Sequence, residues 1–350
     1  MSSSADTVAV ASLGLFILDT FEWRTISLSS GEVKTTKRTD SIIGGGGTYA
    51  IIGSRIWLPP ARVGIVVDKG YDWPEEVVGA KLREYGEEMW VFREKEGGEP
   101  TTRALNLYTG EHRDFKYLTP RTRLEPIDLP LPLRTSQYLH LCCSPTRAIV
   151  IHSQLLPPVN TTPSWRPKMV YEPIPDRCIP EEMDALREVL PHVEIFSPNH
   201  EEAWAFFGVG PEEVARRGKE GIEQVAQRFF DEGAASVVVI RSGPLGAYAL
   251  RKGEEKGVWV PAYHSYQDGK ATGKVVDVTG AGNSFLGGLM GGLVLHEGDL
   301  KTAVECGSIS ASFIIEQFAL PTVKKGEDGV ERWNGVDPRE RLAELQARTA

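Results

Sequence analysis

Short apolar runs alternate with helical patterns from about residue 137 onward, and this alternation constrains the fold more than any other feature. The apolar runs predict buried strands at 138–142, 148–151, 168–171, 193–196 and 236–240. Apolar residues at helical spacing predict helices that begin at Pro180 and extend from Pro211 to Gly233. Strands joined by helices pair in parallel, with helices covering the sheet. The sequence therefore predicts an α/β protein with a mainly parallel central sheet.

The first third of the chain has a different pattern, in which polar and apolar residues alternate within short runs. This period of two predicts half-exposed strands at 24–28, 32–36, 63–67, 88–92 and 104–108. The apolar run 8–18 predicts one buried strand that ends at Asp19, since it is too short to cross a membrane as a helix. Near the other end, Asp337 and Pro338 form a helix-start pattern and predict a C-terminal helix over 337–350.

Charge and cysteine content argue against several classes of partner. Lys and Arg number 39 against 48 Asp and Glu, so the formal net charge is −9, and no segment clusters basic residues. Nucleic acid and anionic membranes are therefore unfavourable partners. The four cysteines, Cys142, Cys143, Cys178 and Cys306, lack C-x-x-C spacing and are predicted to be reduced, mostly buried thiols. We expect a cytoplasmic location.

A glycine turn within the segment VVDVTGAGNSFLGG at 275–288 is the most informative motif. Its two valines end a predicted strand, and Gly280 and Gly282 allow a tight turn. The apolar run that follows predicts a helix that starts near Gly282 or Asn283. N–H groups at a helix start favour an anion, although a glycine turn can also open a helix without any ligand.

Three further motifs carry polar groups or bare backbone. Asn199 and Glu202 follow a predicted strand at N-x-x-E spacing, which predicts a helix cap and also lets Glu202 order water around a hydrated Mg²⁺. The four glycines of the segment 44–50 indicate either a flexible loop or a backbone that approaches another group closely. Asp19 ends the first predicted strand and, taken alone, is a turn residue.

Other catalytic signatures are missing from the sequence. Phe285 stands where a G-x-G-x-x-G motif needs its last glycine, and Val275 stands where a P-loop needs a hydroxyl group. His140 and His152 lie on apolar runs that read as strands, so core burial explains them better than metal binding. A dinucleotide-binding fold and a P-loop ATPase are therefore disfavoured.

Taken in order, these motifs resemble the PfkB family of carbohydrate and nucleoside kinases, whose fold is ribokinase-like. The resemblance extends over about 12–320 and rests on the segments 14–19, 44–50, 199–202, 237–246 and 277–288. Within the family, the chain most resembles the fungal maintenance-of-killer branch. The resemblance implies a three-layer α/β domain at 1–336 with a small β-lid formed near 22–42 and 100–120.

The resemblance also implies roles for the matched residues. The anion hole for the transferring phosphoryl group would be Gly280, Ala281 and Gly282, with Asn283 at the catalytic-base position. ATP and Mg²⁺ would be held near Asn199, Glu202, Arg241, Gly243 and Gly246, with Glu202 reaching the metal through water. Hydroxyl groups of a sugar or nucleoside would contact Asp19, Gly45, Gly46, Gly47 and Tyr49. Asp277 matches a position that often helps to bind a monovalent cation such as K⁺.

Four residues depart from the family pattern. Asn283 replaces the catalytic Asp, Tyr49 replaces a sugar-contacting Asn, and the other two departures are Glu172 for Asp and Arg241 for Thr. An amide accepts no proton near neutral pH, so general-base help worth roughly 10²–10⁴ in rate is missing. Phosphoryl transfer depends mainly on positioning and charge stabilisation, so the loss need not be total.

Two functions therefore remain open at the level of sequence. One is an ATP- and Mg²⁺-dependent kinase with attenuated turnover on a small hydroxylated substrate. The other is a pseudokinase that binds nucleotide and ligand and regulates a partner. A homodimer formed through the lid is compatible with both.

Overall fold

The computed structural model describes residues 7–26, 33–109, 112–157, 165–264, 266–267, 270–271 and 274–349. These residues contain seventeen strands and nine α-helices. The strands in chain order are β1 (Val10–Ser12), β2 (Ile17–Ile26), β3 (Val33–Gly44), β4 (Val63–Lys69), β5 (Trp90–Glu94), β6 (Arg103–Thr109), β7 (His112–Tyr117), β8 (Tyr138–Cys143), β9 (Lys168–Pro173), β10 (Ile195–Phe196), β11 (Val237–Arg241), β12 (Ala247–Arg251), β13 (Val258–Val260), β14 (Tyr266–Gln267), β15 (Lys270–Ala271), β16 (Val323–Lys325) and β17 (Glu331–Trp333). The helices are α1 (Gly46–Arg55), α2 (Ala80–Arg83), α3 (Pro145–Gln154), α4 (Met183–Val189), α5 (His200–Ala205), α6 (Pro211–Asp231), α7 (Ala281–Leu295), α8 (Leu300–Ile314) and α9 (Pro338–Thr349).

Nine strands form the central sheet, in the order β13-β12-β11-β10-β9-β8-β1-β4-β5. The seven strands from β11 to β5 pair in parallel, whereas β12 and β13 are antiparallel additions at one edge. Buried parallel strands need apolar side chains on both faces, which explains the continuous apolar sequence of β11. The predicted parallel α/β sheet is confirmed.

Helices cover both faces of this sheet and complete a three-layer α/β fold. Along β11, Val237 and Val239 pack into the core shared with α1, α7 and α8. Val238 and Ile240 pack into the opposite core with α3, α4 and α6. Successive side chains of a strand point to opposite faces, so one apolar run contributes to both cores.

A second, four-strand sheet has the order β3-β2-β6-β7 and mixes pairings. The β2–β3 and β6–β7 pairs are antiparallel, whereas β2 and β6 are parallel. Its strands lie within 17–44 and 103–117, the part of the chain where the resemblance expects a lid. The predicted strands 24–28 and 32–36 reach residues 27–32, which lie outside the described residues.

The predicted strand over 8–18 is wrong, because the run is divided between two sheets. Strand β1 ends at Ser12 and β2 begins at Ile17. A Cβ on Gly14 would lie 2.6 Å from the backbone nitrogen of Gly47, so the chain turns here against the glycine loop. Glycine permits this close backbone approach.

Two other predicted strands are also absent from the described residues. The run 148–151 and His152 belong to helix α3, which starts at the Ser144 cap and has Pro145 in its first turn. Periodicity alone cannot distinguish a short apolar strand from a buried helix segment. Val275 and Val276 end no strand; instead the N–H of Val276 donates to the carbonyl of Ile315 at 2.7 Å.

The remaining expectations on thiols and helices have simple outcomes. All four cysteines are unpaired, with Cys178 and Cys306 buried and Cys142 and Cys143 partly exposed. Helix α9 follows Asp337 and packs on α8. Among the described helices, none has an apolar stretch of the length that crossing a bilayer requires.

Candidate functional site

The glycine turn opens helix α7, one residue earlier than predicted. Gly280 precedes the helix with φ 78° and ψ −3°, a left-handed conformation that favours glycine. A Cβ at this position would also lie 2.3 Å from the ring of Tyr49, so the turn lies directly on that ring. The first N–H groups of α7 have no partner within the helix, because its hydrogen bonds begin only later.

Arg241 lies against this first turn of α7. A Cβ on Gly282 would lie 1.9 Å from Nη1 of Arg241. The guanidinium contacts two buried carboxylates, with Nη1 3.3 Å from Glu172 and Nη2 3.4 Å from Glu202. A guanidinium and a helix N-terminus are both positive, so two carboxylates balance a locally concentrated positive charge.

Glu172 and Asn283 are joined at the centre of the site. Nδ2 of Asn283 donates to Oε1 of Glu172 at 2.5 Å. Burial raises the pKa of Glu172, but Arg241, His140 and Asn283 more than offset burial and lower it below its usual value. Glu172 therefore carries its negative charge inside the protein.

His140 contacts this carboxylate, and Ser12 holds the His140 ring in place. Nε2 of His140 lies 2.7 Å from Oε1 of Glu172, and Nδ1 lies 2.9 Å from the hydroxyl of Ser12. That hydroxyl also accepts from the N–H of Gly14 at 2.9 Å, so backbone, hydroxyl, imidazole and carboxylate form one buried chain of hydrogen bonds. The predicted burial of His140 is confirmed, but no sequence pattern indicated its contact with Glu172.

Asn199 and Glu202 form the predicted helix cap at the start of α5. Glu202 N–H donates to Oδ1 of Asn199 at 2.8 Å, and Asn199 N–H donates to Oε2 of Glu202 at 2.7 Å. Burial raises the pKa of Glu202, and Arg241 and the Asn199 N–H offset only part of this effect. The carboxylate is therefore already engaged by protein groups.

The donor set fits a hydrated Mg²⁺ better than a chelated one. Within the described ranges, no three His, Cys, Asp or Glu side chains come together as a metal cage. Mg²⁺ commonly keeps several waters and takes further ligands from phosphates, and Glu202 can contribute to such a shell through water. Asp277 has a local partner, because its Oδ1 accepts from the N–H and hydroxyl of Thr279.

The glycine loop is close-packed backbone at the start of α1. Gly45 has φ 98°, and a Cβ there would lie 2.2 Å from the carbonyl of Leu15. A Cβ on Gly47 would lie 2.2 Å from the carbonyl of Gly14, and one on Gly46 would lie 3.0 Å from Nδ2 of Asn283. The interpretation as a flexible loop is wrong, since ordered chain contacts these glycines on both sides.

Asp19 lies in β2 beside the same loop. Its carboxylate is buried and accepts a hydrogen bond from Nδ2 of Asn106 in β6 at 3.0 Å. A Cβ on Gly44 would lie 1.9 Å from Oδ2 of Asp19, so this glycine leaves the space that the carboxylate fills.

Two pockets flank Asn283, and we name them the nucleotide-side and the acceptor-side pocket after the roles proposed for them below. The nucleotide-side pocket, about 220 Å³, has mainly apolar walls from 241–247, 262–264 and the helices α7 and α8, and includes Arg241, Gly243, Gly246 and Gly282. The acceptor-side pocket, about 130 Å³, includes Gly46 and Cys142, which both adjoin the Asn283 amide. Asp19 and Tyr49 line neither pocket.

The structure thus assembles most predicted site residues around Asn283. Sequence patterns did not predict the three arginines of the acceptor-side pocket, Arg121, Arg123 and Arg147. Their spacing carries no motif, and only the fold brings them to one pocket.

Comparisons with known proteins agree with the fold. The model of the pfkB family carbohydrate kinases matches residues 167–322. The chain is 30% identical over 359 residues to an uncharacterized protein of Schizosaccharomyces pombe and 31% identical over 364 residues to Protein MAK32 of Saccharomyces cerevisiae. Each match covers 98% of this chain and 94% of the relative. A ribokinase of Arabidopsis thaliana, solved with ribose and ATP, superposes with TM-score 0.64 at 16% identity, covering 97% of this chain and 98% of that one.

The fold and the site together define a protein of the ribokinase-like kinase class, and the chain belongs to the PfkB family of carbohydrate kinases. Its similarity to Protein MAK32 along nearly the whole length agrees with the fungal maintenance-of-killer branch that the motifs suggested.

Proposed function

We propose that the protein binds ATP in the nucleotide-side pocket and transfers its terminal phosphoryl group, slowly, to a hydroxyl of a sugar- or nucleoside-like molecule in the acceptor-side pocket. The observation that carries this proposal is the position of Arg241. Its guanidinium and the start of α7 place hydrogen-bond donors of positive sign side by side at the nucleotide-side pocket, where Glu172 and Glu202 offset the net charge. Phosphoryl transfer depends on such stabilisation of charge on the transferring group.

The walls of the nucleotide-side pocket suit a purine base. They are mainly apolar and include Tyr263, Val278 and Phe285, and small-molecule sites commonly combine apolar walls with a few polar groups. Gly243 and Gly246 have φ 51° and 94°, so the loop that leads into β12 turns tightly beside the pocket. The Arabidopsis ribokinase, which shares the fold, was solved with ATP.

Three groups would hold the phosphates. The N–H groups of Gly282 and Asn283 and the guanidinium of Arg241 would donate to phosphate oxygens, and Glu202, fixed by Asn199, would order the water shell of Mg²⁺. The metal would screen charge between phosphate oxygens. Asp277 as a ligand of K⁺ stays a prediction from the family resemblance.

The acceptor would lie with its hydroxyl near Asn283. Gly46 lines the acceptor-side pocket, whereas the contacts of Asp19, Gly45, Gly47 and Tyr49, which line neither pocket, stay predictions from the family resemblance. We assign the lid role to the four-strand sheet. The solvent-exposed edge strand β3 is the surface through which a lid dimer would form. The cytoplasmic location likewise stays a prediction.

A second function is favoured by the hydrogen bond between Asn283 and Glu172. The amide cannot take the hydroxyl proton, and its Nδ2 is held by a buried carboxylate. A pseudokinase, which binds nucleotide and ligand without turnover, would need no base at this position.

The two functions are separated by measuring binding and transfer in the same protein. Thermal shifts with ATP, ADP and GTP, with and without Mg²⁺, report binding, and single-turnover transfer from γ-labelled ATP to sugars and nucleosides reports catalysis. Stabilisation with transfer supports the kinase, and stabilisation without transfer selects the pseudokinase. Absence of any nucleotide effect contradicts both.

A further inference from the structure

The acceptor-side pocket has an uneven charge. Among the residues that the structure describes, its lining contains three arginines, Arg121, Arg123 and Arg147, and no Asp or Glu. The chain as a whole has more acidic than basic residues, with a net charge of −9. This cationic lining is therefore a local departure from the composition of the protein.

We propose that this pocket recognises an acceptor that carries an anionic group, a phosphate monoester or a carboxylate, and that Arg121 and Arg123 bind this group. The inference rests on the proposed function for the identity of the pocket as the acceptor site. The recognition of an anion by these arginines can be tested separately from nucleotide binding.

One of the three arginines is already occupied. Nη1 of Arg147 lies 2.6 Å from Glu125, and its Nη2 donates to the carbonyl of Leu124 at 3.1 Å. The guanidinium of Arg121 lies 4.8 Å from the ring centre of Tyr117, which is also in the pocket wall. Neither Arg121 nor Arg123 has a carboxylate within 4 Å among the residues that the structure describes.

The arginines act on the interior of the pocket. Burial raises the pKa of the Cys143 thiol to about 12, and Arg147 and Arg123 counteract this rise. Cys143 is a wall residue and adjoins Cys142, whose thiol lies 3.9 Å from the Asn283 amide. A ligand that reaches from Asn283 along this wall therefore enters the field of the arginines.

The chemistry of the side chains selects an oxyanion. A guanidinium presents a planar set of donors that matches two oxygens of a phosphate or carboxylate. A neutral sugar offers no group for this arrangement. Arg121 and Arg123 are exposed, so they stay hydrated beside a neutral ligand and do not exclude it. The selectivity therefore comes from their attraction for an anionic ligand.

The experiment titrates inorganic phosphate, and separately acetate, into the full chain against sodium chloride of matched ionic strength. Isothermal calorimetry is run with and without ADP, which separates this pocket from the start of α7. The test variant is Arg121→Ala/Arg123→Ala, and the control is Arg216→Ala/Lys325→Ala, which removes two cations outside the pocket. Arg121→Lys/Arg123→Lys keeps the charge but not the planar donors.

We expect the test variant to bind phosphate roughly 10- to 100-fold more weakly, as charge-assisted hydrogen bonds imply, with ADP binding unchanged. The control should match the wild type, and the Lys variant should lie between them. Binding of both anions indicates any oxyanion, and binding of phosphate alone indicates a phosphate ester. Equal phosphate binding in the test variant and wild type, or none beyond chloride in the wild type, overturns the proposal. If the wild type binds phosphate through these arginines but binds no nucleotide, only the proposed kinase function is overturned.

Discussion

Asn283 donates from Nδ2 to Oε1 of Glu172 at 2.5 Å, so the residue that the family resemblance aligns with a catalytic base is bound to a buried carboxylate. Both residues depart from the family pattern, and the departures are complementary. Glu172 carries its charge next to the helix start, and Asn283 supplies the donor that a carboxylate could not. The family pattern has an acid at both positions, so the negative charge on β9 is kept while the one on α7 is lost.

This pairing changes what Asn283→Asp should do. An Asp at 283 would place two carboxylates in hydrogen-bond contact, and such a pair shares one proton because both cannot ionise together. We expect the single variant to gain little turnover at neutral pH. The double variant Asn283→Asp/Glu172→Gln removes the competing charge and should turn over roughly 10²-fold faster than the wild type, measured by single-turnover transfer.

Glu172→Gln alone is the matched control, since it removes the carboxylate without supplying a base at 283. It should show no gain. A single variant Asn283→Asp as active as the double would show that Glu172 does not suppress the base. If all of these variants fold, bind ATP and remain inactive, the pseudokinase is supported.

Arg241 should contribute to the binding of the phosphates of ATP but not to the binding of its nucleoside. Arg241→Gln removes the cation at the start of α7, so we expect ATP affinity to fall roughly 10- to 100-fold. Adenosine affinity should remain within a factor of about two, because the apolar walls of the pocket are unchanged. Calorimetric titration with both ligands measures the difference. A similar loss for ATP and adenosine would place Arg241 outside the phosphate site.

The same substitution should also destabilise the fold. Glu172 and Glu202 are both buried, and removing their shared cation leaves uncompensated charge, which costs about 3 kcal/mol in comparable cases. Arg241→Gln/Glu202→Gln removes one of those charges and should regain part of the stability in urea unfolding. It should not regain ATP affinity. Recovery of both would show that ATP binding had been lost only through the damaged fold.

The parallel sheet could be predicted because each buried strand is a local apolar run. Strand β11 and helix α6 are typical, since one is continuously apolar and the other repeats its apolar residues at helical spacing. The prediction of a strand at 148–151 was wrong for a local reason as well, because four apolar residues fit a helix and a strand equally. Its cap at Ser144 was the available signal.

Contacts in the site could be predicted only where both partners lie in one short segment of the sequence. The cap between Asn199 and Glu202 and the turn at Gly280 lie within a few residues of sequence. The contact of Glu172 with His140 joins two strands, and no local pattern encodes it. Such contacts arise from tertiary packing, so the sequence pointed to the departure at Glu172 but not to its partner.

Glu316 provides a test of stability that does not depend on the site. Burial raises its pKa, but hydrogen bonds from His264, Arg341 and Asn334 more than offset this and lower it to about 2. A carboxylate with a depressed pKa stabilises the fold above its unfolded value, 4.5, and this contribution is lost as the pH falls toward 2. The shift corresponds to about 3 kcal/mol at neutral pH.

We therefore expect Glu316→Gln to unfold in less urea than the wild type at pH 7, because it weakens the attachment of α9 through Arg341. The difference should shrink between pH 4.5 and pH 2. The control is Glu340→Gln, which also removes a carboxylate, from the exposed side of α9 beside Arg341. It should match the wild type. A difference that stays constant over this pH range would contradict the assigned ionisation.

Gly282→Asp tests the start of α7 most directly. A Cβ at 282 would lie 1.9 Å from Nη1 of Arg241, so the new carboxylate must displace the guanidinium or pair with it. Either result neutralises the cation and places negative charge where phosphates would bind, so ATP and ADP should no longer raise the melting temperature. Gly282→Ala adds only the Cβ and is the matched control for displacement of Arg241, and we expect it to retain part of the ATP-induced shift. Full ATP stabilisation of a folded Gly282→Asp protein would remove the first turn of α7 from the nucleotide site.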